Sequence, residues 1–355
     1  MPKNYGLVGI DVAYVLAILG TMFMAVFFVI GDRQFYLAQH QGSYYIFLDF
    51  LPALLVFMSG MSFSLKMRDR RTSSRRKMYN AARMGSLLFL IGLLFVRGWS
   101  VNMFILLGMC YMMAGFVGQF SDMMLRILAV IVLFLAVFST TLEVPMHPMF
   151  SGLKIQGAGL KELVGFTFFN GYYSFLPWFG FFVIGMIFGR GSVRPNGWFP
   201  PSSIMGLGLV ILGFVLEIYS RKLYTPSPNA QDIGFYPLNI RFFMPSFIII
   251  HSGVCVILVN ILNYVFRKTK NRMVSDAARK LVEARFTLYF AVFFFGAIIS
   301  GLFNLIIFRQ TLVLFTLDLA LCAGCVYLVL MWKRHLQAKP PIEWLIQRVT
   351  ISTRD

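Results

Sequence analysis

The stretch FFMPSFIIIHSGVCVILVNILNYVF (242–266) runs for 25 residues without Asp, Glu, Lys or Arg, and RKTKNR (267–272) follows it at once. About 20 consecutive apolar residues, wound as a helix, cross the hydrocarbon core of a bilayer. A cationic cluster at one end of such a run marks the cytoplasmic side, where anionic head groups lie. The stretch therefore reads as a transmembrane helix that leaves the membrane inward.

The pattern repeats along the chain. Apolar runs of spanning length occur near 8–30, 45–66, 79–97, 101–120, 124–142, 174–190, 202–220, 242–266, 286–308 and 311–332. The third and fourth are separated only by GWS (98–100), which predicts a tight helical hairpin. The expected fold is an all-α polytopic membrane bundle of about ten transmembrane helices. It forms a single transmembrane domain over 1–355, whose residues 333–355 are a cytoplasmic tail.

Composition points the same way. Of 355 residues, 58% are apolar and 13% charged, where a soluble domain carries about 25% charged. The net charge of +18 sits in short clusters between apolar runs, such as KMRDRRTSSRRK (66–77). No nucleic-acid motif accompanies it, so the expected partner is anionic lipid and not nucleic acid. Cys110, Cys255, Cys322 and Cys325 all lie inside apolar runs. Cys322 and Cys325 form C-x-x-C, but with no second pair the spacing suits small residues at a helix contact, and no metal site or disulfide is implied. Only Lys3 precedes the first run, and no small-residue cleavage pattern follows it, so a retained first helix is expected.

Charge also sets the orientation. With the N terminus inside, 24 of the 32 Lys and Arg residues fall on the inner side and 8 on the outer. The reverse would violate the positive-inside rule, so both termini are expected in the cytoplasm. The outer side then holds loops near 31–44, 143–173 and 221–241. SGLKIQGAGLKELVGFTFFNGYY (151–173) is too apolar for a free loop and is expected to re-enter or cap the bundle.

Ionisable groups inside spans are costly and are functional candidates by default. They are Asp11, Asp49, Glu217, His251 and Asp318, with Asn260 and Asn304 as neutral polar neighbours. Each can equally make interhelical hydrogen bonds that fix packing, and Glu217 can pair with Arg221 one turn on. His40, in FYLAQHQGSYYIFLDF (35–50), stands just outside the second helix, nine residues before Asp49. A neutral imidazole there can accept a proton or attack an acyl carbonyl, and a carboxylate can orient the ring.

Three stretches carry a resemblance. PPIEWLIQRVT (340–350) resembles the C-terminal Gly-Pro-Leu-Glu-Trp-Leu-Trp-Arg segment of the YeiB-type membrane family. NGYYSFLPWFGFFVIGMIFGR (170–190) is similar to that family's Leu-Pro-Trp-Leu-Gly-Tyr helix ending in Gly-x-x-x-Gly-Arg, and LPALLVFMSGMSFSLKMRDRR (51–71) to its second helix. The family looks related to heparan-α-glucosaminide N-acetyltransferase and to the transmembrane acyltransferases. The resemblance implies transfer of an acyl or acetyl group from cytoplasmic acyl-CoA to an acceptor at the outer face. The segment HQGSYYIFLDFLPALLVFMSG (40–60) matches the region of the implicated histidine at His40, Asp49, Pro52, Ser59 and Gly60. The family's first helix usually carries Asp-x-x-Arg-Gly; here Asp11 is kept, and Tyr14 and Val15 stand in place of Arg and Gly.

On this reading His40, Asp49 and His251 are the catalytic candidates: base or nucleophile, orienter, and deeper proton acceptor. Asp11, Arg68, Arg70, Arg71, Arg75 and Arg76 are the candidates at the donor, with acyl-CoA a transient substrate and no permanently bound cofactor. Glycines in GMSF (60–63), GFFVIGMIFG (180–189) and GLGLVILG (206–213) permit close helix approach. Two other classes fit the composition. One is a non-catalytic membrane subunit, as partner or homo-oligomer, on the same fold; the other is a proton-coupled transporter or flippase of a small amphipathic substrate. A prokaryotic cytoplasmic membrane is the expected location, on the resemblance alone.

Overall fold

A computed structural model describes residues 8–30, 44–67, 73–95, 103–141, 167–168, 174–191, 200–223, 245–269, 272–303, 311–335 and 340–351. The described residues form twelve helices and no strand. The helices are α1 (Val8–Ile30), α2 (Tyr44–Met67), α3 (Ser74–Phe95), α4 (Met103–Val117), α5 (Asp122–Thr141) and α6 (Phe175–Gly191). Then come α7 (Pro200–Leu223), α8 (Pro245–Thr269), α9 (Arg272–Glu283), α10 (Arg285–Phe303), α11 (Thr311–His335) and α12 (Pro341–Ile351). Each of the ten apolar runs coincides with one helix. The two additional helices, α9 and α12, fall where the sequence predicts an inner loop and the tail. The apolar segment 151–173 lies outside the described residues, apart from a short helical turn at 167–168.

Among the described residues three helices are long and apolar enough to cross a membrane, over Phe50–Met67, Ser202–Tyr219 and Pro245–Phe266. On α7, Ile204 is 70% exposed, Ile211 55% and Phe214 55%. Apolar side chains displayed so broadly along a helix of spanning length need an apolar solvent, and lipid supplies it. The chain is a helical, membrane-associating protein.

The chain divides into two compact units, Val56–Asn260 and the remainder, with boundaries inside α2 and α8. In the first of these, lipid gives little drive for helices to associate, so close backbone packing does the work. A Cβ on Gly60 of α2 would overlap the Phe182 carbonyl of α6, and one on Gly185 of α6 would overlap the Phe57 carbonyl of α2. Around this crossing Phe57, Met58, Met61, Phe181, Phe182 and Met186 are almost fully buried. The predicted α3–α4 pairing is close as well: a Cβ on Gly108 would stand 2.6 Å from the Phe89 backbone nitrogen.

Local signals start and stop these helices. Ser73 accepts the Arg76 amide (3.4 Å) at the head of α3, and Ser121 accepts the Met124 amide (3.2 Å) at the head of α5. Arg190, at the end of α6, donates to the carbonyls of Gly118 (3.1 Å) and Phe120, just past the end of α4, and pairs with Asp122 (3.0 Å). The Gly-x-x-x-Gly-Arg element thus sets two glycines against α2 and a guanidinium on the α4–α5 turn.

α7 and α8 meet along a seam with 3–4 spacing: Ser203, Gly206, Val210, Gly213 and Glu217 on one side, Ser246, Ile250, Gly253 and Asn260 on the other. A Cβ on Gly253 would stand 2.6 Å from the Gly206 carbonyl. Asn260 donates to Ser202 and Ser203, both at 3.0 Å, at one end, and Ser246 donates to Glu217 (2.7 Å) at the other. Such spacing is that of a left-handed helix pair.

In the second unit α1 packs against α9, α10 and α11. Ala13, Tyr14, Ala17, Ile18 and Met22 line its buried stripe, and Thr21 bonds back to the Ala17 carbonyl (2.7 Å). α9 is amphipathic. Val274, Ala278 and Leu281 lie on its sheltered stripe, while Asp276, Arg279, Lys280 and Glu283 are exposed.

Candidate functional site

His251 stands on α8, two turns into its most apolar stretch, and is 6% exposed. Its Nδ1–H donates to the Phe247 carbonyl one turn back (2.8 Å). In the neutral ring this bond places the proton on Nδ1 and the lone pair on Nε2. The Phe247 ring lies over the imidazole at 4.0 Å between centroids and meets Phe181 edge-on at 5.8 Å and Trp178 at 6.4 Å. Aromatic walls of this kind keep water away from the ring, and the Nε2 lone pair of a neutral imidazole can take a proton. The neighbouring Ser252 is fully buried.

Of the other sequence-predicted residues, His40, Arg68, Arg70, Arg71 and Asn304 lie outside the described residues. Asp49 is on α2 and Asp318 on α11, with side chains outside the description. Arg75 and Arg76 are exposed in the first turn of α3. Glu217 accepts the Ser246 hydroxyl; the side chain of Arg221, with which it can also pair, lies outside the described residues. Glu217 and Asn260 therefore serve as the polar ends of the α7–α8 seam.

Asp11 lies in the first turn of α1, half-buried, within electrostatic reach of Arg279 and Glu283 of α9. A carboxylate there also meets the positive end of the helix dipole. Three residues on, Tyr14 is buried, and the Arg285 guanidinium of α10 stands 5.3 Å from its ring centroid and 4.6 Å from that of Phe286. A cation from another helix thus stands beside position 14 of α1.

A second polar cluster joins α10 to α12. Glu343 accepts the amides of Phe286 (2.6 Å) and Thr287 (3.1 Å), and also the Thr287 hydroxyl. Thr287 in turn accepts the Ile342 amide (3.0 Å). Each helix thereby caps the first turn of the other, satisfying donors that have no partner within their own helix. Burial raises the Glu343 carboxyl above the usual glutamate range, and the bonds from Thr287 and Phe286 oppose that rise only in part. Nearby, Glu283 pairs with Lys333 of α11 (2.6 Å) and with Arg279 (3.2 Å). Burial raises its carboxyl, but these cations outweigh burial and hold it below the usual range.

Arg279, Glu283, Arg285 and Glu343 are absent from the sequence-predicted set. The first three lie in the segment read as a basic inner loop; Glu343 is visible only within the quoted tail segment. Among the described residues no cluster of His, Cys, Asp and Glu could hold a metal ion. Compared with known proteins, the chain matches no protein-family model and no curated protein.

Proposed function

We propose that the chain is a multi-pass membrane protein of the YeiB-type, acyltransferase-like kind. It has ten spans with both ends in the cytoplasm, resides in a prokaryotic cytoplasmic membrane, and passes an acyl group from cytoplasmic acyl-CoA to an acceptor at the outer face. The observation that carries the reading is His251: an ionisable ring buried in an apolar helix, walled by aromatic groups, its proton held at Nδ1. Burying such a group costs free energy and is kept where its chemistry is used.

The coenzyme cannot cross about 30 Å of hydrocarbon, so its phosphates dock at the inner cations, Arg68, Arg70, Arg71, Arg75 and Arg76. Transfer proceeds in two steps. With the pantetheine arm extended between the helices, an imidazole nitrogen of His40 attacks the thioester carbon, the C–S bond breaks, and the coenzyme leaves as its thiol with the proton given up by the other ring nitrogen. An acceptor hydroxyl or amine then attacks the acyl-imidazole, the C–N bond breaks, and the acceptor's proton passes to the departing imidazole, restoring neutral His40. Asp49 orients His40, and His251 takes protons deeper in the bundle.

Calorimetry of acetyl-CoA and longer acyl-CoA binding, beside acyl release assays, tests this. Wild type, His40→Ala and His251→Phe should all bind donor saturably. Transfer should fall in both variants, by about 100-fold or more where an acid–base group is lost. His251→Phe keeps an aromatic ring in the Phe247 stack, so a folded but inactive variant is the expected result. Unchanged transfer in both variants refutes the assigned roles. Tyr14 at that position of α1 favours a second reading, a non-catalytic membrane subunit, and co-purification of a stable partner together with absence of any acyl-CoA binding would support it over transfer.

A further inference from the structure

Helix α12 turns two unlike faces outward and inward. Ile342, Glu343 and Ile346 face the rest of the unit, and the mutual cap with Phe286 and Thr287 pins the helix to the first turn of α10. Trp344 (49% exposed), Leu345 and Arg348 are on the other face, with the Arg348 guanidinium 5.2 Å from the centre of the Trp344 ring. An exposed Trp–Leu pair beside a cation is poorly suited to water and well suited to the boundary between acyl chains and head groups.

Two further observations say what covers this face. The cap fixes α12 at the level where α10 begins, directly after amphipathic α9. In the same unit, the exposed apolar side of α11 runs through Tyr327 and Leu328 to Trp332, and Lys333, Arg334 and His335 follow in its last turn. That order, apolar then tryptophan then cations, is the exit of a span. Five residues, 336–340, separate it from α12, so the two helix ends stand at most about 22 Å apart. The outer face of α12 therefore stays near the depth at which α11 emerges.

We infer that α12 is an interfacial anchor whose Trp344, Leu345 and Arg348 insert into the head-group region of the inner leaflet, with Arg348 engaging anionic lipid phosphate. The inference rests on the membrane reading above. It extends that reading from basic loops to one defined helix face.

The test uses the full-length protein in nanodiscs of phosphatidylcholine and phosphatidylglycerol brominated near the head-group end of the acyl chain. Bromine quenches tryptophan only on close contact. Wild type should lose a component of its emission that Trp344→Phe lacks, and Arg348→Gln should reduce this loss in phosphatidylglycerol more than in phosphatidylcholine alone. Quenching of Trp344 by aqueous iodide but not bromolipid overturns the anchor, because the face then lies in water. Shielding from both quenchers also overturns it, because a protein surface then covers the face. Trp332→Phe serves as reference. If the Trp332 component is quenched by bromolipid and the Trp344 component is not, the anchor alone fails. If the protein does not enter the discs, the membrane reading itself fails.

Discussion

Gly60 and Gly185 face each other's helices so closely that either Cβ would overlap a partner carbonyl. No rotamer relieves such an overlap, because the colliding atoms are backbone. Gly60→Ala and Gly185→Ala should each destabilise the fold by about 1–3 kcal/mol or more, the cost of overpacking a tight core. Gly208 is the control. It lies in the same kind of glycine-rich sequence, yet nothing approaches within 4 Å of where its Cβ would be. Gly208→Ala should be neutral or stabilise by about 0.5–1 kcal/mol through helix propensity. Thermal midpoints from fluorescence-detected size exclusion separate the two cases, and equal midpoints for Gly185→Ala and Gly208→Ala would sink the packing account. The sequence shows that GLGLVILG holds three glycines but not that Gly206 and Gly213 enter a seam while Gly208 does not. That distinction depends on the partner helix, which no local pattern contains. His251 was legible for the opposite reason: a lone imidazole inside 25 uncharged residues is conspicuous wherever its neighbours fold.

At the scale of elements, apolar run length placed ten helices, because a span must be apolar along its whole length whatever it packs against. α9 and α12 escaped the same reading. Each needs only a few inward apolar residues, Ala278 and Leu281 in one, Ile342 and Ile346 in the other, set among charges. Their stability comes from long-range polar contacts, and these titrate in opposite directions. Glu343 has a folded value raised above 4.5, so its contribution is full below 4.5 and is lost as pH rises through the raised value. Glu283 has a folded value below 4.5, so its ion pairs hold above 4.5 and are lost as pH falls through that lower value. Protection of α12 amides from hydrogen exchange, corrected for intrinsic rates, should therefore increase as pH falls from neutrality toward 4.5. In Glu343→Gln, neutral at every pH, that slope should vanish. Further acidification should loosen α9 from α11 as the Lys333 pair is lost. A flat or falling α12 profile between neutrality and 4.5 in the wild type would contradict the assignment.

For the whole molecule, the decisive quantity is the sidedness of charge. A chain with 58% apolar and 13% charged residues has little polar surface to spend. The 32 basic residues are nevertheless gathered so that 24 share one side when ten spans are drawn from an inner N terminus. Cations near span ends resist translocation, so on the proposed topology this asymmetry would set the insertion direction. The proposed topology assigns α9 with the Glu343 cap to the cytoplasmic side, and predicts independently that the exposed first turn of α3 is cytoplasmic. Single cysteines test it directly, since the native Cys110, Cys255, Cys322 and Cys325 are buried and should react slowly. An impermeant maleimide should label Lys154→Cys and Lys161→Cys in intact cells. It should reach Arg75→Cys and Lys280→Cys, both at exposed positions, only after permeabilisation. Complete reversal would mean that the asymmetry in Lys and Arg does not direct insertion here. Labelling of Arg75→Cys and Lys280→Cys from opposite sides would mean an odd number of crossings between α3 and α9. In that case one of the apolar helices between them lies within the bundle or along its surface without crossing, and the count of ten falls while the helical fold stands.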